Sequence, residues 1–411
     1  MEKELRSAIK QFIHAEVNET PVAAKQDVFW QNLRNTGTEL WLDTGDMEEA
    51  ARNWTAEMTA LTTNNTLLNA EIQKGIYDTL IKRARDLVSD FPLKQQVVEI
   101  AFILNGVHGL RLARRFGGFV SVELHTDTAH DLEAIYKYGM RYADICPEQF
   151  IIKVPFTATG LLGARQLHEK GVRINFTLEF SARQNLLVTA IAQPDFVNVF
   201  LGRIGAYIRD NKLGSGEGAG ERAVLAAQQW VRKMAIQYGT NTRLIAASLR
   251  NAGQLESLAG TDVFTMPVKV AETGRTTLSG DFKPKVNEKY DVDLNERATG
   301  CQLEKLWEVN EKELMLVRDL ADEMPCCSSA LVEIATRAGC GDLFPSLSAE
   351  ELAIIAADGK IPVHERWENR IRSGELAVDS LLTLAGLASF THDQAQLDQR
   401  IASIISTQIL S

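Results

Sequence analysis

Eight short apolar runs rich in β-branched and aromatic residues lie at 39–43, 58–63, 119–125, 150–154, 172–178, 196–203, 242–248 and 262–268. Stretches of helical periodicity separate them, at 47–55, 72–88 with 93–116, 131–138, 161–171, 182–192, 221–238 and 251–259. Strands joined through helices run parallel, because each crossover returns the chain to the same end of the sheet. Repeated this often, the pattern favours closure into an α/β (β/α)8 TIM barrel; an open doubly wound sheet is the alternative. In a barrel, functional side chains gather at the C-terminal ends of the strands.

The flanks are helical. Residues 1–17 are amphipathic, with Leu5, Ile9, Phe12 and Ile13 at helical spacing, and 28–33 add a short apolar patch. Residues 295–324 read as one strong helical pattern, and 331–410 as short helical pieces interrupted at Pro362. The expected organisation is a barrel unit over 1–325, with the N-terminal and closing helices, and a helical C-terminal extension over 326–411. The apolar faces of that extension need a partner surface, either the barrel or a second subunit, so a homodimer is one expectation.

Net charge is −10, which argues against a general nucleic-acid surface, although local arginines still suit anionic substrates. The N-terminus lacks the apolar core of a signal peptide, and no run is long enough to span a membrane. The five cysteines form no CxxC pair and read as free thiols in a reducing compartment, so the expectation is a soluble cytoplasmic protein. Cys326, Cys327 and Cys340 lack a fourth ligand at suitable spacing, and no metal site is expected.

One lysine is out of place. Lys153 interrupts the apolar run Phe150-Ile151-Ile152-Lys153-Val154, sharing a face with Ile151 while Ile152 and Val154 point the other way. If both faces are buried, the ammonium loses hydration, and the free amine that attacks a carbonyl is favoured. The plain alternative is a strand-end lysine whose head reaches water. Asp43, Glu123 and Thr177 fall late in three other runs, which points to a shared polar centre; a buried ion-pair network would also use such groups. Arg203 and Arg250 end two further runs and together would clamp a phosphate. The glycine-rich 214–220 lacks the Lys-Ser/Thr ending of a phosphate loop and reads as a mobile connection. His125, Asp127, His130 and Asp131 match no metal spacing and read as a polar loop.

Seven ordered segments together resemble the transaldolase family of Schiff-base aldolases. They are Leu42-Asp43-Thr44-Gly45-Asp46, Thr62-Thr63-Asn64, Val120-Ser121-Val122-Glu123, Ile152 to Gly160, Asn175 to Ser181, Phe200-Leu201-Gly202-Arg203-Ile204 and Ala247-Ser248-Leu249-Arg250-Asn251. The resemblance runs from about Leu40 to Lys269, more loosely through 295–322, and does not reach 326–411. Asn65 stands where the family usually has proline, Asn198 where it has serine, and Glu179 where it is apolar.

The resemblance implies a ketose phosphate joined to Lys153 as an iminium, with Asp43 as the base at the C4 hydroxyl. It also implies Glu123 and Thr177 as holders of a proton-shuttling water. Asn64, Asn175 and Ser248 would bind the sugar, with Asn198 and Phe200 beside it, and Arg203 and Arg250 the phosphate. No cofactor is needed, since the iminium accepts the electrons. The implied substrates are fructose 6-phosphate, sedoheptulose 7-phosphate, erythrose 4-phosphate and glyceraldehyde 3-phosphate, as in the non-oxidative pentose phosphate pathway. Two other functions fit the same residues: an aldolase that releases dihydroxyacetone, and a non-catalytic sugar-phosphate-binding protein.

Overall fold

The computed structural model describes residues 2–409; Met1, Leu410 and Ser411, which the sequence reading included in its terminal helices, lie outside them. Eight parallel strands close into one barrel in chain order: β1 Glu39–Asp43, β2 Met58–Thr62, β3 Phe119–Glu123, β4 Phe150–Pro155, β5 Ile174–Thr177, β6 Phe196–Phe200, β7 Arg243–Ala247 and β8 Val263–Pro267. Closure leaves no sheet edge, so the strands are covered on one side by their neighbours' side chains and on the other by helices. β4 is accordingly buried along its whole length.

Period-two alternation sends every second side chain into the barrel. At the N-terminal end Trp41 and Phe196 meet edge to face, with ring centroids 4.6 Å apart, and plug the interior. Toward the other end the inward residues turn polar. The Thr265 hydroxyl donates to Thr62 Oγ1 at 2.9 Å, and Asn175 Nδ2 donates to Ser121 Oγ at 2.9 Å. Side-chain caps start the helices that follow several strands, since the first N–H groups of a helix need acceptors. Asn64 caps Asn65–Gln73, Thr157 caps Ala158–His168, and Ser181 caps Ala182–Ile191.

The structure corrects several expected elements. β6 ends at Phe200, and Arg203 belongs to the helix Leu201–Asp210. The buried residues Leu201, Ile204, Tyr207 and Ile208 have helical spacing, which a strand reading carried through Arg203 obscured. Residues 28–33 lie in the helix Val28–Arg34, which Asp27 caps. The pattern at 295–324 breaks into two short 3-10 turns and the helix Glu311–Asp322, because Gly300 and Gln302 take left-handed conformations. The tail has short helices up to Ser373, then a single 32-residue helix, Val378–Ile409.

The glycine-rich segment is packed rather than loose. A Cβ on Gly214 would lie 2.0 Å from the Asp293 carbonyl, and one on Gly216 would lie 2.2 Å from that of Gly205. These glycines permit backbone contact. Among the described residues no helix is long and apolar enough to cross a membrane.

Candidate active site

Strand register brings the charged residues together. Glu123 pairs with Lys153 across β3 and β4, and Lys153 pairs with Asn175 across β4 and β5. All three are inward and near the C-terminal rim. Lys153 is 3% exposed, and its Nζ lies 3.7 Å from Glu123 Oε2. Burial pushes the Glu123 carboxyl up from its ordinary value, against the pull of Lys153, the Asn65 N–H and Arg203.

Asp43 ends β1 and keeps partial solvent contact. Protein nevertheless encloses it deeply enough that burial drives its carboxyl up to about 6, with Lys153 and Arg250 pulling the other way. That value suits a group that takes and returns a proton near neutrality. Thr177 is wholly buried, and its hydroxyl has no hydrogen-bond partner among the described residues. A buried hydroxyl is seldom left unpaired without a reason such as a bound water or ligand.

The asparagines divide into two kinds. Asn175 and Asn198 are buried and occupied with each other: Asn198 Nδ2 donates to Asn175 Oδ1 at 2.6 Å and to the Phe176 carbonyl. Asn64 is half-buried, and its Oδ1 accepts from the Leu67 N–H at 2.9 Å. Ser248, half-buried just after β7, has φ of +64°, and Leu178, after β5, has φ of +71°. Left-handed backbone in non-glycine residues is costly and concentrates at binding and catalytic sites. Glu179, which follows Leu178, is fully buried, its Oε2 has no hydrogen-bond partner among the described residues, and burial holds its carboxyl well above the usual range.

Arg203 is 5% exposed, and its Nη1 has no hydrogen-bond partner among the described residues. Its guanidinium lies 5.4 Å from the Phe200 ring centroid and 5.8 Å from that of Phe390. Burial, reinforced by Arg250, lowers its pKa to about 10. Arg250 is exposed on the loop after β7. Gly202 lets the two segments meet, since a Cβ there would lie 2.2 Å from the Ser248 carbonyl and 2.6 Å from the Arg250 side chain.

Sequence reasoning missed the roof of the site. The C-terminal helix Val378–Ile409 lies over the barrel mouth: Lys153 Nζ is 5.7 Å from the Phe390 ring centroid, and the Thr383 hydroxyl donates to the Leu178 carbonyl. Phe390 stood in an apolar stretch with no local mark to separate it from core. Of the polar residues after β3, His125 contacts Asp398 of the roof helix at 3.1 Å, and Asp131 caps the helix Leu132–Ile145. All five cysteines are unbridged. A cleft of about 520 Å³ opens at the opposite, N-terminal end of the barrel, by Phe196 and Arg243, away from all these groups.

The model of the Transaldolase/Fructose-6-phosphate aldolase family matches residues 40–315. The chain belongs to that family. A transaldolase of Gloeobacter violaceus is 26% identical over 362 residues, which cover 83% of this chain and 86% of that protein. One of Xanthomonas euvesicatoria is 30% identical over 241 residues, 56% of this chain and 73% of that protein. One of Synechocystis is 28% identical over 260 residues, 60% of this chain and 64% of that protein. The chain is thus an enzyme of the transaldolase kind, and sugar phosphates are the substrates its family implies. Phe390 and the rest of the roof helix lie beyond the matched span.

Proposed function

We propose that the chain transfers a dihydroxyacetone unit from a ketose phosphate to an aldose phosphate through a Schiff base on Lys153. The observation that carries this reading is Lys153 itself. It is a nearly inaccessible amine, held inside an apolar strand, with one carboxylate at 3.7 Å and a second whose pKa is near 6 within electrostatic reach.

The Lys153 amine adds to the C2 carbonyl of the donor. Glu123 and Thr177 hold the water that carries protons as the carbinolamine loses its hydroxyl to give the iminium. Asp43 then removes the C4 hydroxyl proton, the C3–C4 bond breaks, and its electron pair moves into the iminium to leave an enamine. The departing C4 becomes the aldehyde of an aldose phosphate. The enamine carbon attacks the aldehyde of the acceptor, Asp43 returns its proton to the new hydroxyl, and water releases the product ketose from Lys153. Asn64, Asn175 and Ser248 bind the sugar, with Asn198 and Phe200 beside it, and Arg203 and Arg250 hold the phosphate. The substrates are fructose 6-phosphate and sedoheptulose 7-phosphate as donors, with erythrose 4-phosphate and glyceraldehyde 3-phosphate as acceptors, in the non-oxidative pentose phosphate pathway.

Transfer is favoured over release because Phe200 offers no hydroxyl to deliver a proton to the enamine, and its ring is packed 5.6 Å from Phe180 under Arg203. Borohydride reduction in the presence of fructose 6-phosphate should add a dihydroxyacetone-derived mass to the peptide carrying Lys153. An adduct on another lysine, with Lys153→Ala still active, overturns the assignment. Without acceptor, free dihydroxyacetone should accumulate slowly, and faster in Phe200→Tyr; rapid release by the wild type would make the enzyme an aldolase.

A further inference from the structure

The roof helix Val378–Ile409 is fixed over the barrel mouth at several points along one face. Residues 379, 383, 386, 390 and 393 follow at intervals of four and three, so they share that face. Asp379 meets Arg183 of the helix after β5 at 2.8 Å, and the same arginine holds Asp342 at 3.1 Å and Glu313 at 3.6 Å. The Thr383 hydroxyl donates to the Leu178 carbonyl at 2.8 Å and accepts from Gln184 Nε2 at 3.1 Å. Gly386 has no side chain where the helix comes against Leu178 and Arg203. Beyond Phe390, Asp393 accepts from the Thr66 hydroxyl on the helix after β2, and Asp398 contacts His125 after β3. Phe390 is thus held between anchors on segments that follow β5, β2 and β3, and it is 3% exposed.

Its ring stands within reach of both ends of the site. Lys153 Nζ lies over the ring at 5.7 Å from the centroid, and the Arg203 guanidinium at 5.8 Å. In the mechanism above the ketose is bonded to Nζ through C2, and its phosphate reaches Arg203. A straight line between two points within 5.8 Å of the centroid stays within 5.8 Å of it, so a carbon chain joining the two groups passes the ring. Carbon atoms touch at about 3.5–4.0 Å. The 5.7 Å between Nζ and the centroid therefore leaves depth for one carbon bonded to Nζ and in contact with the ring face. The C–H groups of a sugar chain suit an apolar wall, and the negative face of the ring suits a cationic iminium.

We propose that Phe390 contacts the substrate: its ring is the wall on which the carbon chain between Lys153 and the phosphate packs, so the C-terminal extension supplies one side of the active site. This rests on the sugar-phosphate reading above. Phe390 recognises the apolar face of the chain, whereas the asparagines and Ser248 meet its hydroxyls.

The test uses the full-length enzyme with Phe390→Ala and Phe390→Leu. Calorimetry measures affinity for glucitol 6-phosphate, which has the carbon chain but no carbonyl, and for inorganic phosphate, which has no chain. KM for fructose 6-phosphate is measured beside them. Phe390→Ala should weaken glucitol 6-phosphate binding and raise KM, each about tenfold, the size of one aromatic contact. Affinity for inorganic phosphate should not change. Phe390→Leu keeps an apolar side chain without the flat face and should lose about threefold; it decides the matter if Phe390→Ala does not fold. Wild-type affinity for glucitol 6-phosphate in a folded variant would overturn the proposal, as would equal losses for both ligands, which mean a loosened fold. Tighter binding in Phe390→Ala would make the ring a plug and overturn it too. Glucitol 6-phosphate cannot form an imine. If borohydride with dihydroxyacetone, which carries no phosphate, fails to trap wild-type Lys153, the Schiff-base mechanism falls, and the calorimetry still decides the role of Phe390.

Discussion

At the scale of single residues, Asp43 ties function to stability. Its carboxyl has an ordinary value of 3.8 and is raised to about 6 in the fold, with burial as the leading cause. Between those values the folded chain keeps a proton that the unfolded chain has lost. Stability contributed by this group is therefore present below about pH 4, falls as pH rises through the window, and is fully lost above about 6. Asp43→Asn should stabilise the protein at pH 7 by up to about 3 kcal/mol and change little at pH 4. Urea denaturation at the two pH values measures this, and equal midpoints for wild type and variant at pH 7 would contradict it. The same variant should lose transfer activity, while wild-type activity should fall on the acid side of about pH 6. Asp43, Glu123 and Lys153 were legible in the sequence because a charge inside an apolar β run is locally anomalous. Phe390 was not, since an aromatic in an apolar helix is ordinary until the fold sets it against Arg203.

At the scale of elements, the alternation of strands and helices was legible because each strand is short and apolar, and several are followed by a side-chain-capped helix. The helix Leu201–Asp210 was lost because its first residues continue the apolar run of β6 without a break. No local pattern could say that the last helix crosses the barrel mouth, since that position is set by distant contacts. Gly386 is a point of close approach in this crossing. A Cβ there would lie 2.8 Å from Leu178 Cδ2 and 3.0 Å from Arg203 Nη1. Gly386→Ala gains about 1 kcal/mol in helix propensity and loses roughly 1–3 kcal/mol to overpacking, so net stability should change little. The displaced group is Arg203, so the effect should appear as a several-fold rise in KM for fructose 6-phosphate. Trapping with dihydroxyacetone should be unaffected. A wild-type KM with a lowered melting temperature would mean that Leu178 absorbs the added methyl and Arg203 does not move.

At the scale of the whole molecule, the family match ends at residue 315, and the sequence marks 326–411 as a helical extension that needs a partner surface; the extension and the barrel share charge and core. Arg183 of the barrel takes two of its three carboxylates, Asp342 and Asp379, from the extension. Arg400 reaches Asp78, and Leu381, Leu382, Leu397, Ile401 and Ile405 are fully buried in a core continuous with the barrel. We propose that 326–411 is an integral cover of the catalytic barrel. Truncation after Met324 tests this in full. It leaves Arg183 with Glu313 alone, and stripping partners from a buried ion costs about 3–5 kcal/mol. Losing five buried aliphatic side chains removes on the order of 10 kcal/mol more. Together these match the whole stability of a typical domain, about 5–15 kcal/mol. The truncated chain should therefore fail to fold into soluble protein, and no change of oligomeric state should rescue it. Asp379→Ala in the full chain should lower the melting temperature while Arg183→Met with Asp379→Leu recovers part of the loss, as expected when the damage is an unpaired charge. A truncated chain that is soluble, cooperative in melting and active in transfer would make the extension an independent module, and would also remove Phe390 from the site.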